Sequence, residues 1–309
     1  MSIMEKQIKQ GTVGVVGLGS MGLGSALALV DAGFDVVGFD VNAAAVEKLQ
    51  AGGGRTVASP SAVAREANIV LVVVVNSDQV DQVVFGESGL AETLAPGGLI
   101  IQCTTVAPSY VRQLDEKLAE RELGLLDAPI SGGSVKARQG ELSVMGSGSK
   151  ACFAQADEVL KTVAAKVYEL GDKAGIGSSM KLVNQSLAGV HIAAAAEAMA
   201  LGIHMGLDPD TVYEVITHSA GNSWMFENRV PHILNGDYTP HSAVDIFVKD
   251  LGIVHSTGRE LTLPLPIAST ALQQFTAASA AGHGREDDSA VIKVYEHLSG
   301  LKLPTASKD

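Results

Sequence analysis

Cysteine, tryptophan and positive charge are scarce in this 309-residue chain. It has two cysteines, Cys103 and Cys152, and one tryptophan, Trp224. Two thiols build neither a disulfide framework nor a cysteine metal cluster, so a reduced, cytoplasmic home is expected. Lys and Arg number 22 against 34 Asp and Glu, a net charge of −12. Nucleic acid and anionic membrane surfaces both call for a basic face, so neither is expected as a partner. Long hydrophobic runs are also missing. The densest, Ile69 to Val75, is strand length, short of the ~20 residues a spanning helix needs. Leu182 to Leu207 is long enough but carries Asn184, Gln185, His191, Glu197 and His204. Met1 to Gln10 is polar and lacks the apolar centre of a signal peptide. No metal-ligand spacing recurs, so no metal is expected. His191, His218 and His255 read as structural.

What is present suits two domains, since single cores stop growing near ~250 residues. The mean hydropathy of +0.23 fits strands buried on both faces, which read as unbroken apolar runs. Strands are expected at Thr12–Gly17, Asp35–Phe39, Ile69–Val74, Leu99–Gln102, Gly124–Asp127, Leu142–Met145 and Val167–Leu170. Helices are expected to begin near Ser20, Asn42, Pro60, Ser77, Pro108 and Lys150. Ser59-Pro60 and Asp208-Pro209 each pair a capping side chain with a first-turn proline. Gly33 falls where a left-handed helix end is wanted. Alternating strand and helix predict an open, mainly parallel α/β sheet. From Gly171 the pattern changes. Residues 171–177 read as a linker, placing the boundary at 172/173. A helix over Gly177–Met205, about 42 Å long at 1.5 Å per residue, then opens an all-helical domain. Further helices are expected at Pro209–Ser219, Val244–Leu261, Pro266–Ala281 and Ser289–Ser299.

Gly17-Leu18-Gly19-Ser20-Met21-Gly22 follows a strand and opens a helix. Gly17 permits the tight turn, Gly19 lets the backbone approach a pyrophosphate, and Gly22 packs helix on strand. The next strand ends in Asp40, about 20 residues on, as the dinucleotide fingerprint requires. Its carboxylate accepts from ribose hydroxyls and repels a 2′-phosphate, so NAD is expected rather than NADP. The other reading of Asp40 is a cap for the next helix. Asn76, at a strand's carboxyl end, reads equally as a ligand contact or a helix cap. Lys181, Asn184 and Gln185 share one helix face. Apolar neighbours desolvate a lysine there and favour its neutral form, as a proton shuttle needs. Spacing alone reads equally as an ordinary helical lysine.

The glycine motif resembles the signature of the β-hydroxyacid dehydrogenases. That family holds 3-hydroxyisobutyrate dehydrogenase, tartronate semialdehyde reductase and, more distantly, 6-phosphogluconate dehydrogenase. Asp127-Ala128-Pro129-Ile130-Ser131-Gly132-Gly133, continued by Gly140 to Met145, resembles its substrate-binding motif. Gly177 to Gln185 is similar to the segment of its catalytic lysine, and Phe247-Val248-Lys249-Asp250-Leu251 to its helical-domain motif. Many members have two asparagines where this chain has Asn184-Gln185, which predicts an altered reach. Imine-reducing relatives usually lack the lysine. The resemblance implies Lys181 as general acid/base and Asn184 as a residue orienting substrate or lysine. Ser131, Gly132 and Gly133 would hold the substrate carboxylate, or form a tight loop without a ligand. Thr105 would touch nicotinamide or substrate, while Thr104 is read as a helix cap. Lys249 would reach cofactor or carboxylate, or be a solvated lysine paired with an acidic neighbour. Trp224 reads equally as pocket wall or core. Runs at Ala188–Met199, Thr217–Arg229, Gly236–Pro240, Ser242–Asp250 and Glu286–Ala290 resemble the branch that oxidises L-threonate at C2 to 2-dehydro-L-erythronate. A C3-specific member is the alternative activity. A catalytically dead dinucleotide sensor is the alternative class. A small anionic hydroxy acid is the expected substrate, and a homodimer or homotetramer the expected assembly.

Overall fold

The computed structural model describes residues 11–305; the polar segment Met1 to Gln10 lies outside them. The chain divides into two compact units, Met1–Lys181 and Leu182–Asp309.

In the first unit β1 (Thr12–Val16), α1 (Ser20–Asp31), β2 (Asp35–Phe39), α2 (Ala43–Ala51), β3 (Arg55–Thr56) and α3 (Pro60–Glu66) come first. Then follow β4 (Ile69–Val72), α4 (Ser77–Phe85), β5 (Leu99–Gln102), α5 (Pro108–Ala119) and β6 (Gly124–Asp127). The six strands form one parallel sheet in the order β3-β2-β1-β4-β5-β6. Strand order reverses between β1 and β4, the switch point where such sheets open a crevice for ligands. Val15, Val37, Val70, Ile100, Ile101 and Leu126 are wholly buried. That explains why the strands read as apolar runs rather than alternations.

The strands expected near Leu142 and Val167 do not join this sheet. β7 (Ile130–Ser131), α6 (Gly133–Gln139), β8 (Leu142–Gly146), α7 (Lys150–Val163) and β9 (Ala164–Glu169) form a separate sheet, β7-β8-β9, with β7 antiparallel to β8. Only Ala128 and Pro129 connect β6 to β7. A parallel neighbour would need a crossover of about a dozen residues, so the chain turns away instead. β3 and β7, two residues each, are too short to show any alternation in sequence.

Caps fall where hydroxyl and carboxylate precede proline. Ser59 Oγ accepts from Ala62 N, and Asp208 accepts from Thr211 N. Gly33 takes φ +90° just past α1.

The helix α8 (Ile176–His204) runs through the division between the units. It is long and apolar enough to cross a bilayer by length and composition, yet half of its apolar window is buried. Among the described residues the second unit is helical throughout: α9 (Pro209–Thr217), α10 (Trp224–Asn235), α11 (Val244–Glu260), α12 (Pro266–Ala278) and α13 (Lys293–Ser299). A short turn of tighter helix, Asp288–Ile292, precedes α13, so the single helix expected from Ser289 is broken in two. The helix α10 has Pro231 inside it, which breaks the helical pattern in sequence; Ser223 caps its start, accepting from Phe226 N. Trp224 opens α10 and is 51% exposed, which excludes the core reading. Phe247 and Phe275 stack 5.1 Å apart at the centre of this unit.

Two carboxylates with no exposed surface brace the second unit. Asp288 accepts from Arg229 Nε at 2.6 Å, and Asp287 accepts from His241 N and Ser289 Oγ. Burial pushes the Asp288 carboxyl up to about 6, against the pull of Arg229 and aided by repulsion from Asp287. A carboxyl raised in the folded state adds stability that is complete below its unfolded value and lost as pH rises through about 6. Asp288→Asn should therefore lose less stability than the natural chain between pH 4 and 7. Denaturant melts across that range check this; parallel pH profiles for the two proteins would refute it.

Candidate active site

The glycine turn is built by sterics. Gly17 takes φ +92°, and a Cβ there would collide with the Val73 carbonyl oxygen. At Gly22 a Cβ would collide with the Gly17 oxygen, so turn and helix touch backbone to backbone. At Gly19 a Cβ would meet nothing within 4 Å. The second glycine thus faces open space, as a bound pyrophosphate requires. Gly19 is also the N-cap of α1 and brings no capping side chain, which leaves the first-turn N–H groups to an anion. Leu18 buries its side chain, while Ser20 is exposed and Met21 half-buried.

Asp40 directly follows β2 and is half-buried. Its Oδ2 accepts from Leu18 N at 2.5 Å and its Oδ1 from Asn42 N at 2.7 Å. It does not cap α2; Asn42 does, accepting from Ala44 N. Each Asp40 oxygen keeps lone-pair capacity, so the carboxylate is held beside the glycine turn and can still take a ribose diol. These residues fit the adenosine half of NAD.

At the carboxyl ends of β4 and β5 the outcome is mixed. Asn76 caps α4, its Oδ1 accepting from Gln79 N at 2.9 Å. Thr104 is not a helix cap. It is buried, and its Oγ1 accepts from Val74 N at 3.2 Å, joining the segments after the two strands. Gln102, unnoticed in sequence, grips Thr104 from both sides: Oε1 accepts from Thr104 N at 2.6 Å and Nε2 donates to Thr104 O at 2.9 Å. This clamp sets the position of half-buried Thr105. Burial pushes the neighbouring Cys103 thiol up to about 12, so it is no nucleophile at neutral pH.

The segment Asp127 to Gly133 splits into two roles. Ser131 is half-buried on β7, and Gly132, the N-cap of α6, and Gly133, its first residue, take φ +142° and +82°. Asp127 faces the start of α8 instead. It is wholly buried; Oδ2 accepts from Gly175 N and Ser178 N, both at 2.9 Å, and Oδ1 from Ser178 Oγ at 2.7 Å. Ser147 Oγ donates to Asp127 and accepts from Gly177 N. Burial raises the Asp127 carboxyl, opposed by these hydrogen bonds. A remote strand therefore supplies the cap that glycine cannot, and the first turn of α8 belongs to the first unit. The compact units divide after Lys181. Lys181 follows one turn later and is itself buried.

In the second unit the structure brings Asn184 and Lys249 into one polar chain. Gln185 and Asp250, both buried, connect them. Lys249 pairs with Asp250 at 2.6 Å, so its pairing with an acidic neighbour is real; the lysine is half-buried and the carboxylate buried. Among the described residues no group of three His, Cys, Asp or Glu side chains is placed to hold a metal ion.

The first unit is thus a dinucleotide-binding domain of the dehydrogenase type. Comparison with known proteins carries this further. Residues 12–171 match the NAD-binding domain of 6-phosphogluconate dehydrogenase. Residues 175–295 match the NAD-binding region of NADP-dependent 3-hydroxyisobutyrate dehydrogenase. The chain belongs to the β-hydroxyacid dehydrogenase family, and it is an NAD-dependent dehydrogenase. It is 53% identical to the L-threonate dehydrogenase of Cupriavidus necator, over 94% of this chain and 97% of that one. It is 52% identical to the L-threonate dehydrogenase of Escherichia coli K12, over 95% and 97%. A crystal structure of 3-hydroxyisobutyrate dehydrogenase from Salmonella typhimurium superimposes with a TM-score of 0.88 at 50% identity, covering 92% of this chain and all of that one.

The glycines should separate by substitution. Gly22→Ala must push helix from turn and should lower both melting temperature and NADH affinity. Gly19→Ala should fold normally and lose NADH affinity alone. Calorimetry with NADH fluorescence titration checks this; a Gly19→Ala protein with natural affinity would contradict the pyrophosphate placement.

Proposed function

We propose that the protein oxidises L-threonate at C2 to 2-dehydro-L-erythronate, with NAD as oxidant. The observation that carries the substrate is near-complete similarity to two L-threonate dehydrogenases at about half identity. NAD, when bound, supplies the hydride acceptor. The chain's own residues bind, orient and move the proton. Lys181 Nζ takes the proton of the C2 hydroxyl as that carbon loses hydride, and returns it in the reverse direction. Ser131, Gly132 and Gly133 receive the carboxylate of the acid, with Lys249 as a local cation in a chain of net charge −12. Asn184 hydrogen-bonds the substrate, and Thr105 lies at the nicotinamide end. The second reading, a C3-specific 3-hydroxyisobutyrate dehydrogenase, is favoured by the Salmonella structure's description.

Two further points belong to this reading. The exposed residues Val183, Leu187, Ala194, Ala198 and Leu201 recur at helical spacing along α8, an apolar stripe suited to self-association as a homodimer or homotetramer. Two free thiols accord with a reducing cytoplasm. Sedimentation equilibrium and cell fractionation test these; a monomer, or a protein found outside the cytoplasm, would overturn the respective point.

A panel of C3 and C4 hydroxy acids with each cofactor tests the activity. L-Threonate should reduce NAD and give little turnover with NADP, and Asp40→Ala should narrow that preference. Turnover of 3-hydroxyisobutyrate with threonate inert would remove the C2 reading and leave the family. Lys181→Ala should lose about 10²–10⁴ in turnover while still binding NADH. Lys181→Arg should not recover the activity, since a guanidinium stays protonated. Near-natural turnover in Lys181→Ala would mean the proton leaves by another route.

A further inference from the structure

The polar chain between Asn184 and Lys249 has a direction, and chemistry sets it. Asp250 is buried beside Lys249, and an ionised carboxylate can only accept. Gln185 must therefore turn its nitrogen to it: Nε2 donates to Asp250 Oδ2 at 2.5 Å. The oxygen of the same amide then points the other way and accepts from Asn184 Nδ2 at 2.9 Å. Turning the Asn184 amide over would set oxygen against oxygen. With its nitrogen held by Gln185, Asn184 presents its carbonyl oxygen on the opposite side.

We propose that Gln185 is a positioning residue for substrate selectivity. It relays the acceptor character of Asp250 so that Asn184 offers an acceptor to a hydroxyl of the acid other than the one oxidised. This rests on the reading of the protein as a polyol-acid dehydrogenase with Asn184 at the substrate. A carbonyl oxygen repels a carboxylate and has nothing to bind on an apolar methyl, but it accepts from an alcohol. A site built to bond a hydroxyl rejects the analogue that lacks it far more strongly than an apolar pocket rejects a small change of size. Asparagine at 185 is one methylene shorter and cannot hold Asp250 and Asn184 together.

The experiment compares the natural enzyme with Gln185→Asn and Gln185→Glu. Their substrates are L-threonate and its 3-deoxy and 4-deoxy analogues. NADH binding and melting temperature are measured alongside. The natural enzyme should prefer threonate over one of the deoxy acids by about 10²-fold or more in kcat/KM. In Gln185→Asn that preference should fall to within about tenfold, with NADH affinity near natural and a melting temperature lowered by the lost bond to Asp250. In Gln185→Glu the new carboxyl faces the Asp250 carboxylate, with Lys249 on the far oxygen of Asp250. Protonated, it still donates to Asp250 and accepts from Asn184, so selectivity should be kept at low pH; ionised, it is repelled by Asp250 and leaves that place, so selectivity should fall as pH rises. This second variant carries the test if Gln185→Asn does not fold. Equal loss of turnover on all three acids, or unchanged selectivity in the variants, overturns the proposal alone. A natural enzyme inert on threonate overturns the underlying reading as well.

Discussion

The buried carboxylate of Asp127 is the interaction on which the start of α8 depends. A helix start leaves N–H groups with no partner inside the helix, and α8 begins Gly175-Ile176-Gly177-Ser178, with no side chain at its N-cap to help. Asp127 and Ser147 supply the acceptors from the strand side. A negative group at a helix N-terminus is favourable also through the helix dipole. Each buried donor left without an acceptor costs about 1–3 kcal/mol, so the arrangement is strongly specified. Gly177 completes it, since a Cβ there would collide with the Met145 carbonyl oxygen. The turn that carries Lys181 is placed by these contacts.

The same economy recurs in the second unit. Asp288 is matched with Arg229, Asp287 with backbone and hydroxyl donors, and Asp250 with Gln185 and Lys249. A lone buried charge is costly, whereas one met by several donors becomes a locating device. Acidic residues that read in sequence as parts of family motifs are thus largely scaffold. They hold neighbouring side chains and backbone in place.

The glycine turn was legible because each of its requirements is local. A positive φ at Gly17, a backbone collision at Gly22 and open space at Gly19 all follow from residues close in sequence or on adjacent strands. Most strands were legible because burial on both faces makes them unbroken apolar runs. The second sheet was not, because a local pattern marks a strand without saying which sheet it joins, and the short β6-to-β7 connection decides that. The helix α10 was hidden by Pro231. Asn76 and Thr104 were ambiguous in sequence because amide and hydroxyl groups serve as caps, ligands and strand ties alike.

By itself the sequence determined most of the strands and helices, the two-domain plan, the dinucleotide fingerprint and the family. These rest on periodicity, steric need and motif spacing within short windows of chain. Only the tertiary structure decided what each polar side chain binds. Asp127 meets Ser178, Gln102 clamps Thr104, and Gln185 reaches Asp250 across the fold. A hydrogen bond depends on two groups arriving within about 3 Å. For residues far apart in the chain that distance is set by packing, which no local pattern encodes.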